Sequence, residues 1–127
     1  MYFNPYYSYM PRFSSYRSTY TITINTSTRK LTLFKNGASY KTYLVGVGKP
    51  STPTPKGNFR IINKALNPGG PFGARWMGLS IPGYGIHGTN NPSSIGKRVS
   101  NGCIRLYNAN VIGLYNLVPI GIPVKII

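Results

Sequence analysis

The stretch Tyr20–Gly48 reads YTITINTSTRKLTLFKNGASYKTYLVGVG, and its texture decides the fold class. Thr21-Ile22-Thr23-Ile24 alternates strictly between polar and apolar, and Lys30-Leu31-Thr32-Leu33 does the same before Phe34-Lys35. A period of two places Ile22 and Ile24 on one face of a strand, and Leu31 and Leu33 on one face of the next. Asn36-Gly37 is a strong hairpin signal, because both central residues of a tight type I′ turn need positive φ. Tyr40 to Val47 is then the returning strand. Residues 20–48 read as an antiparallel meander.

Further along, Gly48-Lys49-Pro50-Ser51-Thr52-Pro53-Thr54-Pro55-Lys56-Gly57 holds too many prolines for a central strand and reads as a loop. Its Gly and Lys content suggests a phosphate loop, but the spacing is wrong and no helix start follows. Asn58 to Lys64 returns to strand texture, and Asn67-Pro68-Gly69-Gly70-Pro71 makes another excursion. Arg75 to Ile81 and Tyr84 to His87 read as short strands separated by Pro82-Gly83. The one plausible helix spans Asn108 to Leu117, with Asn108 as its N-cap and Val111, Ile112, Tyr115 and Val118 near helical spacing. Pro123 to Ile127 closes the chain as a strand. The expected architecture is one mainly β domain over 20–127, a β-sandwich with one short α-helix near the C-terminus. Residues 1–19 carry five of the eleven tyrosines and no periodicity, and read as a flexible, Tyr-rich tail.

At 127 residues the chain can bury a core of its own, and fifteen Gly with eleven Pro fit a turn-rich β protein. It holds fifteen Lys and Arg but no Asp and no Glu, for a net charge of +15. Whole chemistries fall away with the carboxylates: the paired-carboxylate glycosidase, the Asp-containing triad, and carboxylate-ligated Mg²⁺ or Ca²⁺. One His and one Cys cannot supply the three or four ligands of a zinc site, so neither a metal nor another cofactor is expected. The charge predicts attraction to polyanions, among them anionic wall polymers and nucleic acid, and a self-repelling surface that suits a monomer. A nucleic-acid binder would explain the charge and nothing else in the chain, so no specific nucleic-acid partner is expected. No charged start precedes an apolar run, and no apolar run approaches 18 residues, so neither a signal peptide nor a membrane span is expected.

The chemistry concentrates in Ile86–Asn108, IHGTNNPSSIGKRVSNGCIRLYN, which holds the sole histidine and the sole cysteine, sixteen positions apart. A thiol attacks as thiolate, and an imidazole is the usual means of producing one at neutral pH. Either residue alone is more often structural. Together they point to cysteine acyl transfer, which needs three further parts. Gly102, without a Cβ, leaves amides at 102 and 103 open as oxyanion donors. With no carboxylate to orient His87, the Gly88 carbonyl is the candidate. Arg105 lies on the same side as Cys103 if Cys103–Leu106 is extended, and its guanidinium can hold a carboxylate.

His87-Gly88 followed by Ser100-Asn101-Gly102-Cys103-Ile104-Arg105 resembles the signature of the L,D-transpeptidase catalytic domain, the YkuD family, in which H-G precedes [S/T]-x-G-C-[apolar]-[R/N]. The resemblance runs from about Thr21 to Ile127. It includes the opening T-I-T-I-N strand, V-G-V-G-K at 45–49, T-P-T-P-K-G at 52–57 and the V-P-I-G-I-P-V-K-I ending. It implies a Cys–His site under a loop flap. Cys103 would attack the carbonyl of the third residue of a peptidoglycan stem tetrapeptide and expel D-Ala. Transfer of the acyl group to an amine on another stem would form a 3→3 cross-link. His87 would be the base and the Gly88 carbonyl its orienter. The amides of Gly102 and Cys103 would hold the oxyanion, Arg105 the carboxylate, and Ser100 would support the loop. Asn101 stands where many members carry His, which leaves its substrate contact in doubt. Two alternatives stay open: an L,D-carboxypeptidase with water as acceptor, and a basic wall-binding module with weak or lost catalysis. The resemblance implies the cell wall of a bacterium, and the Tyr-rich tail without a signal peptide suggests spore peptidoglycan, which an enzyme made in the mother cell can reach without secretion.

Overall fold

Alternation in the sequence becomes alternation in burial once the strands pair. The computed structural model describes residues 18–127. The tail reading at 1–19 therefore falls almost wholly outside the described residues.

The strands are β1 (Tyr20–Asn25), β2 (Lys30–Lys35), β3 (Ala38–Leu44), β4 (Val47–Gly48) and β5 (Gly57–Leu66), then β6 (Arg75–Leu79), β7 (Gly85–His87), β8 (Arg98–Ser100), β9 (Ile104–Arg105) and β10 (Pro123–Ile126). A single helix, α1, spans Asn108–Leu117. Eight strands form one sheet in the order β3-β2-β1-β10-β5-β6-β7-β9, and β4 pairs with β8 in a small second sheet.

The meander is present as expected: β1 pairs antiparallel with β2, and β2 with β3. Asn36 and Gly37 both take positive φ at its turn. The returning strand starts at Ala38 and ends at Leu44, earlier at both ends than the sequence suggests, because Val45 and Val47 leave the sheet edge for the core. The last strand, β10, lies inside the sheet, parallel to β1 and antiparallel to β5. Pro123 is tolerated there as the first residue of the strand.

One core unites Ile22 and Ile24 of β1, Leu31 and Leu33 of β2, Ile61, Met77, Leu79, Ile86, Ile104, Val124 and Ile126. Residues from strands so far apart in an eight-stranded order meet only because the sheet curls on itself. Val45 and Val47 join the same core from the β4 side. Each such aliphatic side chain contributes about 1.5–3 kcal/mol by leaving water.

Helix α1 matches its expected bounds but not its expected face or cap. Val111, Leu114 and Val118 are buried, whereas Ile112 and Tyr115 are only half-buried. The N-cap position is Tyr107, without a side-chain bond, and Asn108 is the first helical residue. The Asn108 amide is used elsewhere, as described below. At the other end, the Lys64 ammonium donates to the carbonyls of Tyr115 (2.7 Å) and Val118 (2.8 Å) and sits 4.0 Å from the Tyr115 ring centre. A cation there satisfies carbonyls the helix leaves open and complements its dipole.

Candidate active site

Two short strands bring the sole thiol and the sole imidazole to one face. β7 and β9 pair in parallel, Ile86 opposite Ile104 and His87 opposite Arg105. Paired residues point to the same side of a sheet, and so do residues two apart on a strand. His87, Arg105 and Cys103 therefore share a face, with Ile86 and Ile104 turned into the core on the other. Arg105 is fixed through its main chain, which exchanges hydrogen bonds of 2.8 and 2.9 Å with Gly46.

Antiparallel pairing sets Trp76 of β6 opposite His87 and Gly78 opposite Gly85. Gly85 has to be glycine, since a Cβ there would lie 2.6 Å from the Trp76 ring. The indole lies over that gap, donates its N–H to Asn63 Oδ1 (3.1 Å) and stacks on the imidazole with centroids 5.6 Å apart and planes 16° apart. Phe72 meets both rings edge-on, at 5.3 Å from Trp76 and 5.1 Å from His87. An aromatic wall thus stands on one side of the histidine.

His87 is 3% exposed, and its Nδ1 lies 2.5 Å from the Gly88 carbonyl. A carbonyl can only accept, so Nδ1 carries the hydrogen and Nε2 is left with the lone pair in the neutral ring. Burial pushes the His87 pKa below its ordinary value; the Gly88 hydrogen bond opposes this, and the nearby Arg105 charge adds to it. Burial likewise raises the Cys103 thiol, against a hydrogen bond from Gly85 and the field of Arg105, which both lower it. Each group is held neutral at rest. The thiol itself points at the Gly83 carbonyl, 3.8 Å away.

Asn108 holds the histidine segment in place. Its Oδ1 accepts from the N–H of Ala74 (3.0 Å) and of Thr89 (3.2 Å), and its Nδ2 donates to the Thr89 carbonyl (3.1 Å). The side chain read from sequence as a helix cap is thus a brace between α1 and the His87-Gly88-Thr89 turn. The Asn108→Ala variant is expected to lose about 1–2 kcal/mol, since water can reach part of what is freed. The melting temperature should drop by roughly 5–10 °C. Because His87 is the only histidine, its ring resonances are unambiguous. Their titration should move back toward the ordinary value in this variant; an unmoved midpoint would mean that the brace does not shape the imidazole's surroundings.

The turn before the thiol departs from expectation. Gly102 was expected to leave its amide open, yet its N–H donates to Ser100 Oγ (3.0 Å), and that hydroxyl donates to the Cys103 carbonyl (2.7 Å). The cause is physical: a buried Ser hydroxyl needs both a donor and an acceptor, and those it finds are in its own turn. Of the two expected oxyanion donors, the Cys103 N–H is the one without an acceptor among the described residues. The Ser100 carbonyl in turn accepts from the Thr52 hydroxyl (2.9 Å) and the Lys49 N–H (3.0 Å), so the Pro-rich loop anchors the turn. Asn101 is exposed at the tip of the turn, and the structure gives it no hydrogen-bonded partner among the described residues.

Tyr84, read from the sequence only as the start of a strand, precedes β7 and packs against Gly102, where a Cβ would meet its ring at 2.5 Å. The aromatic pair Phe72–Trp76 and the brace Asn108 were also missed. The G-x-H spacing of Gly85 and His87 was the one local hint of the wall, since it marks a position where something flat comes close to the sheet.

Across residues 19–126 the chain matches the family model of the L,D-transpeptidase catalytic domain, YkuD. The chain belongs to that family. The L,D-transpeptidase domain is 54% identical over 111 residues to a Bacillus subtilis (strain 168) protein that bears the name L,D-transpeptidase YkuD, covering 87% of this chain and 68% of the relative. Among solved structures, the catalytic domain from an Enterococcus faecium L,D-transpeptidase is 26% identical with a TM-score of 0.74, over 88% of this chain and 99% of that one. An L,D-transpeptidase from Mycobacterium smegmatis shares the fold, with a TM-score of 0.76 at 22% identity, over 87% of this chain and 59% of that one. The chain thus corresponds to about two thirds of the length of the B. subtilis relative and to nearly all of the isolated E. faecium domain. No helix among the described residues is long and apolar enough to cross a membrane.

Proposed function

We propose that this L,D-transpeptidase domain forms 3→3 cross-links in bacterial peptidoglycan, at the cell wall or in spore peptidoglycan, through an acyl-enzyme on Cys103. The observation that carries the reading is the parallel β7–β9 register, which aligns His87 and Arg105 beside the thiol on one sheet face. In the first step, His87 Nε2 takes the thiol proton while Sγ attacks the carbonyl of the third stem residue. The Cys103 N–H steadies the oxyanion. Collapse breaks the amide bond, and the imidazolium returns its proton to the departing D-Ala amine. In the second step, an amine on a neighbouring stem attacks the thioester, His87 takes its proton, and the thiolate leaves. The Gly88 carbonyl holds the imidazole in the required tautomer, and it stabilises the imidazolium in place of the missing carboxylate. Arg105 pairs with the stem's terminal carboxylate, and its charge favours the thiolate at the same time.

The assignment is tested by incubating the protein with a disaccharide tetrapeptide and following intact mass and muropeptides together. The expected result is an adduct of the tripeptide acyl group, free D-Ala and a cross-linked dimer. Tripeptide without dimer would make water the acceptor and the domain an L,D-carboxypeptidase. Binding of sacculi with neither adduct nor product would leave the basic wall-binding module.

The neutral resting pair also predicts the pH dependence. The base must be unprotonated, and the His87 pKa lies below its ordinary value, so His87 stays competent at lower pH than a free imidazole would. The thiol is raised, so the neutral Cys–His pair persists above the ordinary thiol value. The kcat/KM profile should therefore be flat between roughly pH 6.5 and 8.5, with both limbs outside that window. An acid limb above the ordinary imidazole value would contradict the neutral-pair mechanism.

A further inference from the structure

Outside the Cys–His site, the Pro-rich loop, the β1–β2 turn and β8 enclose a concavity of about 290 Å³ lined by Lys49, Lys56 and Arg98 together with Thr26 and Ser27. Cys103, His87 and Arg105 do not line it. The three cations come from separate places: Lys49 and Lys56 from the two ends of the loop, Arg98 from the start of β8. The hollow thus gathers cationic side chains from three segments, and the chain has no Asp or Glu side chain to pair with them. A second concavity, of about 370 Å³ between residues 18–20 and 116–119, has no cation in its lining.

We propose that this concavity binds a phosphate group. Donors that arrive from three segments suit a tetrahedral anion with several free oxygens, whereas a planar carboxylate would engage one fork of them. Arg98 is already steadied for that work, since its Nη2 donates to the Ser27 carbonyl at 3.3 Å and leaves its other N–H groups free to turn inward. The Ser27 hydroxyl adds a neutral donor. The volume lies at the small end of ligand sites, enough for one phosphate with a short substituent. A phosphodiester repeat of an anionic polymer and a free phosphate ion offer the same chemistry. The loop that lines the hollow also donates to the Ser100 carbonyl through Thr52 and Lys49, so the anion site and the Cys103 turn share one segment.

The inference does not rest on the transpeptidase reading, and its test reads binding alone. The full chain, ¹⁵N-labelled, is titrated at fixed ionic strength with inorganic phosphate and, separately, with a glycerol phosphate trimer. Saturable shifts confined to the amides of Gly48, Lys49, Lys56 and Arg98 are expected. The triple variant Lys49→Gln/Lys56→Gln/Arg98→Gln should weaken binding at least tenfold. A control variant, Lys30→Gln/Lys35→Gln/Lys41→Gln, removes the same charge from β2 and β3 and should bind as the parent does. Tighter binding of the trimer would assign the site to a polymeric phosphodiester, and equal binding to a free phosphate group. Shifts spread over all the lysines, equal loss in the control, or no saturation by either probe up to millimolar concentration would overturn the proposal.

Discussion

Replacing Cys103 with Ala is expected to abolish the acyl-enzyme and to lower kcat/KM by about 10⁴-fold or more, with the fold unchanged. The size follows from the composition. The chain has one thiol and no carboxylate, so no second nucleophile of comparable strength stands on the β7–β9 face. Stability should hardly move, because Cys103 is only half-buried and its thiol makes only weak polar contacts, with the Gly83 carbonyl at 3.8 Å and with the Gly85 backbone. A sharper form of the same test uses His87→Ala. On its own it should cost about 10²–10⁴-fold. Added to Cys103→Ala it should cost nothing further, because base and nucleophile act as one unit. Intact mass and D-Ala release, read on samples with matching melting curves, check both. Turnover retained in Cys103→Ala, or losses that multiply in the double variant, would sink the mechanism.

Gly102→Ala is expected to be nearly as damaging, though it touches no reacting atom. Gly102 sits at φ +120, where a side chain is strained, and an added Cβ would lie 2.5 Å from the Tyr84 ring. Either the ring or the turn must move, and the turn carries the thiol one residue later. A displacement of the order of 1 Å in a positioned nucleophile costs about 10²-fold. Backbone strain should take about 1–3 kcal/mol from stability as well. The two causes separate by a second change. In Gly102→Ala/Tyr84→Ala the clash is gone but the φ is not, so activity should recover in part and remain below that of Tyr84→Ala alone. Full recovery would assign the whole effect to the ring. Activity near the parent level in Gly102→Ala itself would show that the turn tolerates the shift, and would remove the reason for glycine there.

Much of the scaffold was legible because its signals are local. Alternation in Thr21–Ile24 and Lys30–Leu33 decides which side chains face inward, and it does so within four residues. Asn36-Gly37 encodes its turn by dihedral preference alone. Local patterns also misled. Asn108 has the chemistry of a cap and stands at a helix start, yet its amide is drawn off by two backbone N–H groups at 74 and 89 that the linear sequence places far away. Gly102 has the freedom expected of an open amide donor, but the hydroxyl of Ser100 reaches that amide first. In both cases the residue type was informative and the partner was not.

By itself the sequence determined the inventory: one thiol, one imidazole, a guanidinium two residues past the thiol, no carboxylate, and strands with one apolar face. It also carried the ordered H-G and S-x-G-C-x-R motif by which the chain is placed in the L,D-transpeptidase family. Only the tertiary structure decided that His87 lies opposite Arg105, that Trp76 lies flat over Gly85 against the imidazole, and that three cations line one hollow. The reason is physical. Periodicity is a property of neighbours along the chain, whereas the register of β7 on β9 is set by burying Ile86 and Ile104 together in a core that the curled sheet assembles from both ends.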